Sequence, residues 1–157
     1  GLCEANELFT VDMGSLTLQA PHPLVNAKTC ISGRPCEFDG LKGEGLQVGD
    51  TFQVLETCGT NTAVPRLTMA GRSVGVSKMG ASVRWGNVPM TAAGGRYRLC
   101  WCSAHYPCSS MADFRLDIGS LDIVGPRPLH QDRTCISGLT CLIEGITGLD
   151  LHLDIYL

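Results

Sequence analysis

The sequence predicts an all-β protein, built from short antiparallel strands and stapled by disulfides. Three observations carry that expectation. Nine cysteines among 157 residues are heavy usage, and outside a reducing cytosol such a density means bridges. Nineteen glycines and eight prolines call for many turns and few helices. Several stretches alternate apolar and polar residues with period 2, and none carries a convincing 3.6-residue stripe.

Taken in order, "TFQVLETC" puts Phe52, Val54 and Cys58 in one phase. "RYRLCWC" sets Tyr97, Leu99 and Trp101 on one face and Cys100 and Cys102 on the other. "FRLDI" groups Phe114, Leu116 and Ile118. Turns such as "DG", "GTN" and "AAGG" separate these half-buried strand patterns. At Gly119-Ser120 the apolar phase slips, from Ile118 to Leu121 and Ile123, and the same slip occurs at Gly14-Ser15. A glycine at a phase slip predicts a β-bulge or a strand that changes sheets. So many short strands in one unit predict an antiparallel sandwich of immunoglobulin-like type. A bridge between Cys58 and Cys100 would then pin the two sheets together. The tyrosine corner of true immunoglobulin domains wants its Tyr two residues before the cysteine, whereas Tyr97 lies three before Cys100.

An internal repeat organises the chain. Residues 9–40, "FTVDMGSLTLQAPHPLVNAKTCISGRPCEFDG", align without a gap with residues 114–145, "FRLDIGSLDIVGPRPLHQDRTCISGLTCLIEG". The offset is 105 residues, and fifteen of the 32 positions are identical. That period is too long for a solenoid unit and suits an independent domain in an array. Residues 1–20 therefore read as the end of a preceding repeat, 21–124 as a complete repeat, and 125–157 as the beginning of the next. The linkers "QAPHPLV" and "VGPRPLH" hold two prolines each, which makes them short and stiff. The chain starts at Gly1 without a signal peptide, and its final "LHLDIYL" reads as part of a strand. Both ends are expected to continue into a longer protein.

The cysteines follow the period. Cys30 and Cys36 recur as Cys135 and Cys141, and Cys108 has an earlier counterpart in Cys3. One unit then holds Cys30, Cys36, Cys58, Cys100, Cys102 and Cys108, an even set. Spacing alone does not choose among the pairings open to six cysteines. The expected scheme is Cys30–Cys36, Cys58–Cys100 and Cys102–Cys108, with Cys135–Cys141 repeating the first.

The segment from Gly94 to Pro128 contains "GGRYRLCWCS", then Cys108, Phe114, "GSL" and the Gly-Pro linker. It resembles a cysteine-rich tandem repeat of very large extracellular algal and protist proteins, such as the shaft protein of mastigonemes. The resemblance covers about one unit and rests on Gly95, Tyr97, Cys100, Trp101, Cys102 and Cys108. It implies immunoglobulin-like domains in series in a filament. Mastigoneme shafts are heavily glycosylated, and this chain contains no Asn-x-Ser/Thr sequon.

A net charge of −3 gives no basic footprint for nucleic acid, and no apolar run approaches the roughly 20 residues of a membrane span. Cys100, Cys102, His105 and Cys108 have the ligand types of a Cys3His zinc site; disulfides are the expected reading. A redox pair at C-W-C lacks the C-x-x-C spacing and the helix that lowers a thiol pKa. Asp12, Asp117, Asp122 and Asp132 lie near the ends of units and supply the oxygen type calcium uses. Asp122 and Asp132 align with Thr17 and Ala27, so this set does not repeat. His22, His105, His130 and His152 come with no Ser/Asp or Cys/Asn partner in a recognisable arrangement. "GLKGEG" lacks the strand-then-helix frame of a phosphate loop. Trp101 is expected in the core, and Trp85, before a turn, is the candidate ligand contact.

The expected role is therefore a non-enzymatic structural or adhesive module of a secreted or cell-surface filament or coat. Its partners would be other repeats and copies of itself, without a cofactor. The alternative is a carbohydrate- or protein-binding extracellular module that uses Trp85.

Overall fold

The computed structural model describes residues 9–77 and 80–151. Within them the chain forms β1 (Ala20–Pro21), β2 (Asn26–Ile31), β3 (Glu37–Phe38), β4 (Gly43–Glu44), β5 (Thr51–Leu55), β6 (Gly75–Ser77), β7 (Ser82–Arg84), β8 (Gly95–Cys102), β9 (Leu116–Pro126) and β10 (Gly148–Leu149). Helical structure among the described residues is confined to two short 3-10 turns, Thr68–Gly71 and Met111–Asp113. The protein is all-β, as its turn-rich composition requires.

Two sheets dominate. In the first, β5, β8 and β9 pair antiparallel in that order, and β2 lies parallel to β9 on its far side. In the second, β3, β7 and β6 pair antiparallel. One buried cluster draws on both: Phe52, Val54, Tyr97, Leu99, Trp101, Ile118, Leu121 and Ile123 from the first sheet, Val76 and Val83 from the second, with Trp85 and Met90. Burial of these side chains is the main stabilising term, at about 1.5–3 kcal/mol for each large aliphatic residue.

The alternation in β8 works as the sequence suggests, and it has a second consequence. Tyr97, Leu99 and Trp101 enter the shared core, so Cys100 and Cys102 point the other way. There they join Leu55, Cys108 and Phe114, with Met111 and Cys58 packed alongside, in a smaller cluster outside the first sheet. The chain from Cys108 to Phe114 supplies much of this cover, so that face stays dry at one end. Its other end is polar: Arg96 pairs with Asp122 and Arg98 with Asp117, both across β8 and β9.

The phase slip at Gly119 is a bulge. Leu99 faces Gly119 and Cys100 faces Asp117, which leaves Ile118 as the extra residue in β9. Gly119 takes φ +139°, and its N–H donates to Asp117 Oδ1 at 3.0 Å. A Cβ there would lie 1.8 Å from the Asn26 carbonyl oxygen, so the parallel approach of β2 needs this glycine. Gly14 shares the positive φ, at +112°, and the N–H bond to Asp12 Oδ1 at 2.8 Å, but it lies in no strand and no described residue approaches its Cβ position.

All four expected disulfides are formed, with Cα–Cα distances of 5.6 Å for Cys30–Cys36 and Cys58–Cys100, 6.0 Å for Cys102–Cys108 and 5.7 Å for Cys135–Cys141. The expected role of Cys58–Cys100 is corrected. It does not pin the two sheets, because Cys58 follows β5, a neighbour of β8 in the same sheet, and Cys100 faces away from the shared core. Cys30–Cys36 makes the inter-sheet link instead. Cys30 lies in β2 of the first sheet, and the Cys36 carbonyl accepts from Trp85 N–H beside β7 of the second. Cys3, Leu153 and Ile155 lie outside the described residues.

Candidate functional site

The residues singled out for chemistry are mostly spent on structure. Cys100 is bonded to Cys58 and Cys102 to Cys108, so the Cys3His set has no free thiolate. His105 is exposed and shares a hydrogen bond with the Gln47 side-chain amide at 2.6 Å. Among the described residues no group of three or more His, Cys, Asp or Glu is placed to hold a metal ion. The redox reading of C-W-C fails on the same bonds, since its two cysteines have different partners. His22 and His130 are exposed, and His152 lies outside the described residues.

Three of the four aspartates considered for calcium are engaged by arginine or by backbone. Asp122 accepts from Arg96 at 2.9 and 2.8 Å, and Asp117 accepts from Arg98 at 2.7 Å on both oxygens. Hydrogen bonds from Arg96 hold the Asp122 carboxyl below the usual carboxylate range. Asp12 caps Gly14, and Asp132 is exposed.

Trp85 is a correction. It is 1% exposed and among the largest wholly buried side chains, and its indole N–H donates to the Gly71 carbonyl at 2.8 Å. Its ring tilts against Phe38 at 5.4 Å between centroids. With its ring enclosed and its one donor used, it offers a ligand nothing. Although it precedes a turn, its N–H pairs with Cys36, and this continues the β7 ladder by one residue and turns the side chain inward. Trp101 is in the core as expected. A groove of about 530 Å³ beside β3, β6 and β7 is lined by Glu37, Asp39, Arg84 and Ser82, with Ser82 hydrogen-bonded to Asp39.

What the sequence reasoning missed lies in the two linkers. β1 pairs with β4, Ala20 opposite Glu44 and Pro21 opposite Gly43. The end of β9 pairs with β10 in the same way, Gly125 opposite Leu149 and Pro126 opposite Gly148. Each of these residues lies 105 positions from its counterpart. Backbone bonds follow the offset: His22 N–H donates to the Lys42 carbonyl at 2.8 Å, and Arg127 N–H to the Thr147 carbonyl at 2.9 Å. So do side chains that differ in identity. The Asn26 amide donates to the Pro23 carbonyl at 2.6 Å, and the Gln131 amide to that of Pro128 at 2.7 Å. Lys28 donates to the Asp39 carbonyl at 2.8 Å, and Arg133 to that of Glu144 at 3.2 Å. The usable signal was that Asn/Gln and Lys/Arg keep their donor type where identity is lost.

Searches against protein-family models, curated proteins and solved structures find no match for this chain. No helix among the described residues is long and apolar enough to cross a membrane.

Proposed function

We propose that residues 21–124 are one complete repeat, an immunoglobulin-like β-sandwich, of a secreted structural protein whose units stand in series in a filament or surface coat. Residues 1–20 close the preceding repeat, and 125–157 open the next. The observation that carries the reading is the recurrence of linker contacts at the 105-residue offset, down to single hydrogen bonds. A scaffold repeats its joints; a solitary enzyme domain has no need to.

Other features support the sandwich. The orders β5–β8–β9 and β3–β7–β6 correspond to strands C–F–G and B–E–D of the immunoglobulin plan. Tyr97 O–H donates to the Ala93 carbonyl at 2.9 Å, four residues upstream, as in a tyrosine corner. Its spacing from Cys100 is immaterial, because that cysteine serves the outer cluster. Phe9, Val11, Met13, Leu16 and Leu18 are exposed, whereas four of their five counterparts, Phe114, Ile118, Leu121 and Ile123, are buried in β9 or just before it, and the fifth, Leu116, is half-buried. The first set has the pattern of a closing strand that belongs to another copy of the fold. Four disulfides suit an oxidising, extracellular compartment. The unit has no catalytic role in this reading.

Antibodies against residues 21–124 test it on the cells that make the protein. They are expected to label a filament or coat outside unpermeabilised cells. Labelling confined to the cell interior would overturn the proposal.

A further inference from the structure

β9 does not stop where its own sheet stops. Its last partner on the β2 side is Ile31, opposite Val124, yet the strand runs on through Gly125 and Pro126. There β10 takes over as partner, and Gly94 N–H holds the other edge through the Pro126 carbonyl at 2.9 Å. One continuous strand thus serves the sheet of one unit and the opening ladder of the next, and the torsions between them are fixed by hydrogen bonds on both edges.

Side chains add a clamp. The Gln131 amide N–H donates to the Thr147 carbonyl at 2.8 Å, and its Oε1 accepts from Thr147 N–H at 2.8 Å. Thr147 Oγ1 donates to the Arg127 carbonyl at 2.7 Å. The approach is close: a Cβ on Gly148 would lie 2.2 Å from the Gly125 carbonyl oxygen. At the other linker, a Cβ on Gly43 would lie 2.5 Å from the Ala20 carbonyl oxygen.

We infer that Gly94 and the end of β9 form a locked joint with Gln131, Thr147 and Gly148 of the next unit of the same chain, so that each unit stands to its neighbour in one fixed orientation. The inference rests on the repeat reading. Because the ladder at Ala20–Pro21 uses equivalent positions, the same relation applies at successive joints. Head-to-tail contacts of one kind that do not close a ring build an open helical array.

Residue-resolved amide exchange on the 157-residue chain tests the lock. Arg127 and Thr147 amides are expected to be protected like those of β9, and both Gly148→Val and Gln131→Ala are expected to lower that protection by about tenfold or more. The amides of β8 and β9 up to Ile123 should stay at wild-type protection in both variants, because the substituted residues lie outside that sheet. Linker amides that exchange freely in the wild type would overturn the inference, as would protection left intact by both variants. Failure here with antibody labelling outside the cell leaves the structural reading standing with hinged units. A locked linker in a protein found only inside the cell leaves the joint and removes the filament.

Discussion

Removing one disulfide at a time separates loop entropy from local packing. Cys58–Cys100 spans 42 residues, whereas Cys102–Cys108 spans six. A bridge stabilises chiefly by restricting the unfolded chain, and the chain-entropy relation assigns about 4 kcal/mol to the longer loop and about 2 kcal/mol to the shorter. Cys100, Cys102 and Cys108 all lie in the small outer cluster with Phe114, so replacing either pair by alanine strips sulfur from the same packing environment. The difference between the double variants therefore reads the loop. Cys58→Ala with Cys100→Ala should be less stable than Cys102→Ala with Cys108→Ala by about 2 kcal/mol. In urea the buried Trp85 reports unfolding, and that difference moves the midpoint by about 1 M. Equal losses, or a larger loss from the short loop, would refute the reasoning and place the stabilisation in the folded state.

Three further outcomes are expected. Gly119→Ala should cost at least about 2 kcal/mol in a thermal melt, because its Cβ meets the Asn26 carbonyl and its φ is one that L residues avoid. Tyr97→Phe should lose about 1 kcal/mol with the bond to Ala93. Burial raises the Tyr97 pKa, so the unfolded chain ionises first: the wild type should lose stability as pH rises past about 10, and the Phe variant should lose less there. Asp122, held low by Arg96, contributes stability above about pH 4 that is lost as pH falls through its lower folded value; Asp122→Asn should flatten that part of an acid titration, with a neutral-pH cost under about 1 kcal/mol for so exposed a pair.

The parts legible in the sequence were those whose signal lies within one stretch of chain. Long strands such as β5, β8 and β9 run far enough to display a period, and the Gly119 bulge shows as a slip within it. Bridges in six-residue loops follow from spacing and from the repeat. What depends on a partner across the fold was not legible. β3, β6 and β7 are two or three residues long, too short to show alternation. β2 is an edge strand with only Cys30 buried, so "NAKTCI" reads as loop. The roles expected of Trp85 and Cys58 depend on which way they face, and that is set by ladders on other strands. Asp50 shows the same limit. It is 2% exposed and accepts the N–H groups of Gln47 and Ala104, yet in sequence "GD" is an ordinary turn.

The linkers explain why identity understates how closely the two repeats agree. Most contacts that recur there end on a backbone carbonyl, an acceptor that every residue type supplies. Only the donor must be kept, and only in kind: Asn26 becomes Gln131, and Lys28 becomes Arg133, without loss of the bond. Gly43 and Gly148 are unchanged because there the constraint is the room left for a Cβ, which no substitution can satisfy. Surface positions between these points, such as Ala27 against Asp132, drift freely because each is exposed or nearly so and bonds nothing across the joint. In the proposed array, a repeat under this kind of constraint would keep its joint geometry while its surface charge changes, so units alike in backbone would present different faces.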